Sequence, residues 1–332
     1  MSFRNRIARQ EPLPIDQAKQ FSLGKMEPNF SPRAGTPHSS RTELIIGGLR
    51  TYVYGIEEIE KAGYQDVAVL YLAHGRTRTY RDMEMTAYEI LHQYRNTQGQ
   101  KKAGLIAVAF DMRNHGERVV TPKSNQAWTN GNVTHAQDMI GAVSGSAQDI
   151  ELLINYLPTY LPQFDKFYNV VSGVSLGGHT SWRVGTDANS KLQGLAIVIG
   201  SPNLTGLLLS RLGVKIGELS VPEDELYTVP YDKLSPVLTE EQRRRWPRAL
   251  SELIAELDRN TAEKFPRNVP TYILNGKLDP LVPDRFTKAW VAKRRDEGYA
   301  NIDYFVQENT GHTCTDVMVD NIAQWLVKLF SI

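Results

Sequence analysis

The chain has 332 residues, a formal net charge of +1 and a 23% share of charged residues. That length buries a sizeable core, in one large α/β domain with an insertion or in two domains, and the balanced charge leaves no basic field for nucleic acid or an anionic membrane. No apolar run is long enough to span a bilayer, and the single cysteine, Cys314, excludes an intrachain disulfide and favours a reducing, cytoplasmic setting.

Met1–Arg9 is Arg-rich without acidic residues, so a mitochondrial address is the alternative to the cytoplasm; it lacks the apolar core of a secretory leader. Residues 1–41 are crowded with Pro, Ser, Gly and Gln and read as an extended N-terminal arm, a candidate for docking a partner or joining two copies of the chain. Asn132-Val-Thr134 and Asn203-Leu-Thr205 match the glycosylation sequon and read as chance matches in a chain without a leader. The spacing of Met83, Ala87, Ile90, Leu91 and Tyr94 predicts an amphipathic helix over 81–98. A second helix is predicted over about 134–157, with Met139, Val143, Ile150, Leu153, Ile154 and Leu157 facing inward and Pro158 as its stop. Strands recur at 167–171 and 195–199, and strands alternating with helices predict a mostly parallel sheet covered on both faces. Between 200 and 270 the alternation fails: a Leu-rich stretch (204–212) gives way to Pro-punctuated loops and a charged helical run over 240–264. Arg243, Arg244 and Arg245 there read as a solvated helix face, with selection of an acidic substrate as the alternative. Strands return at 271–274 and 302–306.

The most informative stretch is Gly173-Val-Ser175-Leu-Gly177, which follows a buried strand run and precedes a helix. In Gly-x-Ser-x-Gly the serine occupies a sharp strand-to-helix turn whose flanking positions have no room for side chains. Such a turn pushes the hydroxyl out of the sheet and leaves the next backbone N–H at a helix head, facing a developing oxyanion. The bare pattern also fits an ordinary Gly-rich connection; order along the chain separates the two. Asn275-Gly-Lys-Leu-Asp279 follows one strand and Asn309-Thr-Gly-His312 follows the next, so a serine, an aspartate and a histidine each fall just past the carboxyl end of a predicted strand.

Ser, then Asp, then His is the triad order of the α/β-hydrolases, and the chain resembles that superfamily from about Glu43 to its C-terminus. Leu44–Tyr54 resembles its opening hairpin about a Gly-Gly turn. Val67–Gly75 resembles the strand ending in the family's His-Gly dipeptide. Leu105–Gly116 resembles the next strand and its Asp-x-Arg-Gly-x-Gly exit, except that Asn114 and His115 replace the Gly and the variable residue. The resemblance implies a mostly parallel eight-stranded sheet with helices on both faces, a core of 42–200 and 270–332, and a helical cap formed by 201–269; helices that merely pad the sheet edge are the alternative for that insertion.

The resemblance also implies roles. Ser175 is the nucleophile, His312 its base, and Asp279 holds the imidazole tautomer. The turn one strand earlier, Gly200-Ser-Pro-Asn203, offers no carboxylate, and Asp284 is the nearby substitute. The backbone N–H groups of Leu176 and Arg76 form the oxyanion hole, while the Arg76 guanidinium either meets a substrate carboxylate or points to solvent. His74 and His179 read as packed structural groups, His115 and His135 as candidate pocket residues, and Cys314 as a packed thiol. No metal or other cofactor is expected. The expected activity is hydrolysis of a carboxylic ester or related small acyl compound through an acyl-serine. Peptidase, lactonase, acyltransferase and lyase variants share the constellation, and a non-catalytic ligand receptor is the reading from another class.

Overall fold

The computed structural model describes residues 33, 35–188 and 191–332. The Arg-rich segment Met1–Arg9 and most of the arm expected over 1–41 lie outside these residues. The arm's last residues lead into the sheet, where Ser40 donates through its N–H and Oγ to the Glu58 carboxylate.

Eight strands form one sheet: β1 Arg41–Ile46, β2 Leu49–Tyr54, β3 Asp66–Ala73, β4 Gly104–Phe110, β5 Lys166–Val174, β6 Leu192–Val198, β7 Thr271–Gly276 and β8 Ile302–Gln307. Their spatial order is β1-β2-β4-β3-β5-β6-β7-β8; β2 runs antiparallel to both neighbours and all other pairs are parallel. The β1–β2 turn needs positive φ at both central residues, and Gly47 and Gly48 supply +57° and +81°. The helices are α1 Ile56–Lys61, α2 Tyr80–Asn96, α3 His135–Tyr160, α4 Leu176–Asp187, α5 Leu204–Arg211, α6 Tyr231–Leu234, α7 Glu240–Arg245, α8 Arg248–Lys264, α9 Asp284–Asp296 and α10 Asp316–Phe330.

Central strands read as unbroken apolar runs because both faces are covered. In β3, Val67, Val69 and Tyr71 join a core with α3, α4 and α9, whereas Ala68, Leu70 and Leu72 join one with α2 and α10. The expected sheet and its helical layers are therefore present, with differences at the edges. The helix placed over 81–98 starts at Tyr80, because Thr79 and Asp82 form a reciprocal capping box, and ends at Asn96. The helix expected to stop at Pro158 runs to Tyr160. Proline removes its own N–H bond but leaves its carbonyl able to accept, and Leu161 donates to Pro158 O. Strand β5 extends beyond its apolar stretch, to Val174.

Among the described residues between β6 and β7 there is no strand. The charged run of 240–264 is broken at Trp246-Pro247 into α7 and α8. Arg244 and Arg245 pair with Glu240 and Glu241 one turn back, and Arg243 caps the Ser235 and Leu238 carbonyls. Helix α8 packs toward α4, where Trp182, Phe265 and Trp290 form an edge-on aromatic cluster. Among the described residues, no helix is long and apolar enough to cross a membrane.

Asn114 occupies φ 60°, a left-handed conformation for which asparagine is the best substitute for glycine. Its side chain accepts from Val120 and Thr121 N–H and donates to Thr121 O, which explains how this position departs from the usual glycine without losing the turn.

Glycines at two places separate tight packing from mere chain freedom. A Cβ at residue 177 would lie 2.0 Å from Ala73 O, whereas one at exposed Gly141 on α3 would meet nothing within 4 Å. Gly177→Ala is expected to destabilise the fold by about 3 kcal/mol or more, and Gly141→Ala to stabilise it by about 0.5–1 kcal/mol. Urea unfolding of the two variants checks this; equal midpoints would refute the packing argument.

Candidate active site

The site forms where β3, β5, β6, β7 and β8 end. Ser175 follows β5 with φ 57° and ψ −109°, a strained conformation for a non-glycine residue. The neighbouring glycines make it possible. A Cβ at Gly173 would lie 2.2 Å from Gly177 O, and helix α4 approaches β3 closely at Gly177. Ser175 N–H donates to Val198 O at 3.0 Å, tying the turn to β6.

Two further loops converge on this serine. After β7, Asp279 turns back so that one carboxylate oxygen, Oδ1, accepts from Leu281 N–H at 2.8 Å and Val282 N–H at 2.9 Å. The other, Oδ2, lies 2.7 Å from His312 Nδ1, and His312 Nε2 lies 2.8 Å from Ser175 Oγ. A carboxylate accepts, so Nδ1 carries the proton and Nε2 presents its lone pair to the hydroxyl; this tautomer is assigned from the network. The loops are pinned to each other by Leu278 N–H to Thr310 O at 2.8 Å and Lys277 N–H to Gln307 O at 2.9 Å. Their closeness depends on Gly276, where a Cβ would lie 2.3 Å from Gly311 O. Asp284, the substitute acid, opens α9 and faces Lys277 at 3.6 Å instead of the imidazole.

A cavity of about 360 Å³ opens over the hydroxyl. Ser175, Leu176 and His312 line its floor with Gly75 and Arg76, so the elbow and the His-Gly loop face one space. Met83 and Thr86 of α2, Met139 of α3, the 127–130 loop and Leu281 build the walls. Of the 201–269 insertion, Arg211 alone is among the lining residues; the Arg243–Arg245 cluster is not. Sequence reasoning did not single out Arg211, whose place at the cavity is set by how α5 docks.

The other histidines divide. Buried His74 bridges the loop as expected: its Nδ1 donates to Gly75 O at 2.8 Å and its Nε2 accepts from Met112 N–H at 3.0 Å. His179 is packed in α4, accepting from Ser201 N–H at 3.0 Å, and also reaches the cavity wall. His115 and His135, considered as pocket residues, are not among those lining the cavity; they are buried behind it against His74 and Trp128. Cys314 lines the cavity, but burial pushes its thiol up to about 12, so it is protonated near neutral pH.

Residues 70–325 match the model of the alpha/beta hydrolase family. The chain belongs to that family. Among solved structures, TT1662 from Thermus thermophilus superposes with a TM-score of 0.61 at 18% identity, over 88% of this chain and 98% of that one. The Pyrococcus furiosus esterase Pf2001 gives 0.51 at 15% identity, over 92% and 96%. Est1E from Butyrivibrio proteoclasticus, with ferulic acid bound, gives 0.52 at 14% identity, over 86% and 96%. At such identities the likeness is one of fold. No curated protein is similar enough in sequence to count as a match.

Burial holds four imidazoles neutral. It pushes His74 down to about 4 and His115, His135 and His179 to about 3, with nearby Arg76 and Arg211 adding to the depression at His135 and His179. A histidine in the unfolded chain titrates near 6.5, so below that pH the unfolded state binds the extra protons and stability falls. The stability is fully present above about pH 6.5 and is lost progressively as pH falls toward the folded values, by at most about 2 kcal/mol per group at pH 5. Thermal unfolding should therefore show a clearly lower Tm at pH 5 than at pH 7. A flat profile over that interval would contradict burial of these groups as neutral bases.

Proposed function

We propose that the protein is a serine hydrolase that cleaves a carboxylic ester or related acyl compound through an acyl-serine intermediate. The observation that carries this reading is the continuous relay Ser175 Oγ, His312 Nε2, His312 Nδ1 and Asp279 Oδ2, with both links shorter than 3 Å and the hydroxyl facing a cavity. Ser175 Oγ attacks the carbonyl carbon as its proton passes to His312 Nε2. Asp279 stabilises the imidazolium and is itself held by two backbone N–H groups, which keep its free oxygen aimed at Nδ1. As the tetrahedral intermediate collapses, His312 returns the proton to the leaving alcohol. Water then adds to the acyl-serine, with the same imidazole as base, releasing the acid and restoring Ser175.

The negative charge on the tetrahedral oxygen falls to the N–H groups of Leu176 and Arg76. The first lies at the head of α4, where the helix dipole and unsatisfied N–H groups favour an anion. The second follows the buried His74–Gly75 corner. In this reading the 201–269 insertion borders the site through α5 rather than roofing it, consistent with Arg211 as its sole lining residue. Among the structures with the same fold, one is described as an esterase and another was solved with ferulic acid bound, which agrees with small acyl substrates.

A fluorophosphonate probe should label Ser175 in the full chain and leave Ser175→Ala unlabelled; labelling that survives the substitution would remove the assignment. Asp279→Asn is expected to lower kcat on a short-chain ester by about 10⁴-fold, through loss of the productive tautomer. Undiminished turnover in that variant would instead show that another group orients the base.

A further inference from the structure

Arg76 and Arg211 are far apart in the chain, one in the loop after β3 and one at the end of α5, yet they line the same cavity as Ser175. Neither has a carboxylate within ion-pair distance among the described residues. Arg76 donates to one neutral acceptor, the Asn125 carbonyl at 3.3 Å. Arg211 donates through Nη2 to Leu281 O at 2.6 Å and lies against Met139 Sδ through Nη1 at 3.6 Å, while its Nε is buried with no partner. Both residues are half-buried and line the cavity. By contrast, Arg244, Arg245, Arg248 and Arg285 each pair with an acid.

Arg78 lines the recess as well, and under-compensated guanidinium groups sharing one recess are electrostatically expensive. Burial lowers the affinity of Arg76 and Arg211 for their protons, and Arg211 is pushed down to about 10, with Arg76 as a further cause and Asp279 opposing it. Asp279 cannot serve as their counter-ion, because both its oxygens are committed to Leu281, Val282 and His312. The one carboxylate in the cavity lining, Asp82, accepts from Thr79 N–H at 2.9 Å in the cap of α2. The recess therefore has a net positive excess that a bound anion would neutralise, with a planar fork suited to a carboxylate.

We propose that Arg76 and Arg211 form an anion subsite, and that the physiological substrate is an acyl compound bearing a free carboxylate beside the scissile ester. The proposal rests on the serine hydrolase reading and names its substrate class. Cleavage follows the steps already given. The carboxylate takes no part in bond making and stays ionised throughout.

The test uses monoethyl adipate and its uncharged counterpart ethyl hexanoate, with ethanol release as the assay. The wild-type chain should prefer the monoanion by at least tenfold in kcat/KM. Arg211→Gln should lower that anionic-to-neutral ratio at least tenfold, with losses in both KM and kcat for the monoanion, and Arg211→Lys should recover part of it because the charge returns without the fork. Adipate should protect Ser175 from the fluorophosphonate in the wild type and do so at least tenfold less effectively in Arg211→Gln. A wild-type preference for the neutral ester, or a ratio unmoved by Arg211→Gln, would overturn the subsite while probe labelling and ester turnover still stand. Failure of labelling and of both esters would instead overturn the hydrolase reading itself.

Discussion

The structure depends most on the close approach of backbones at the end of β5. Here Gly173, Gly177 and Ala73 meet at distances that no side chain tolerates, and Ser175 is held at φ 57° as the consequence. Such a conformation costs on the order of 1–3 kcal/mol, which persists only where the surroundings over-determine it. They do so here through the Ser175 N–H bond to Val198 O and the buried strands β3, β5 and β6. Relaxing the turn would require moving a helix off the sheet, so the hydroxyl stays aimed outward without a substrate to hold it.

The relay applies the same economy of motion to the other two loops. Gly276 lets the loop carrying His312 cross the end of β7, and backbone bonds from Lys277 and Leu278 lock that crossing. Asp279 then has one oxygen fixed by the backbone and one free for the imidazole. The preorganisation resides in main-chain atoms, which side-chain exchange elsewhere in the site leaves intact.

Much of this arrangement is legible in the sequence. Ser175, Asp279 and His312 stood at strand ends marked by glycines and apolar runs, and hydrophobic period separated β from α along most of the chain. What stayed hidden has identifiable causes. The extent of α3 past Pro158 depends on a local donor, Leu161, that periodicity does not register. The tolerance of Asn114 in place of glycine follows from a left-handed φ and four side-chain bonds. Arg211 belongs to a segment whose composition speaks of packing, and its place at the cavity is set by how α5 docks, a tertiary fact absent from any window of sequence. His115 and His135 show the reverse: both are chemically competent residues near the site in sequence pattern, and both are buried behind it.

Charge links the arginine pair to the chemistry. On the proposed mechanism, His312 becomes a cation when Ser175 gives up its proton, in a recess that Arg76 and Arg211 also line. Like charges in a partly buried recess repel more strongly than in bulk water, and that repulsion opposes the proton transfer on which a base's contribution rests. Asp279 offsets part of that repulsion. On the anion-subsite proposal, a substrate carboxylate cancels much of the rest, and it does so in the transition state, where the imidazolium has formed, more than in the resting complex. Recognition and catalysis then share one electrostatic origin: the group that identifies the substrate also lowers the cost of moving the proton.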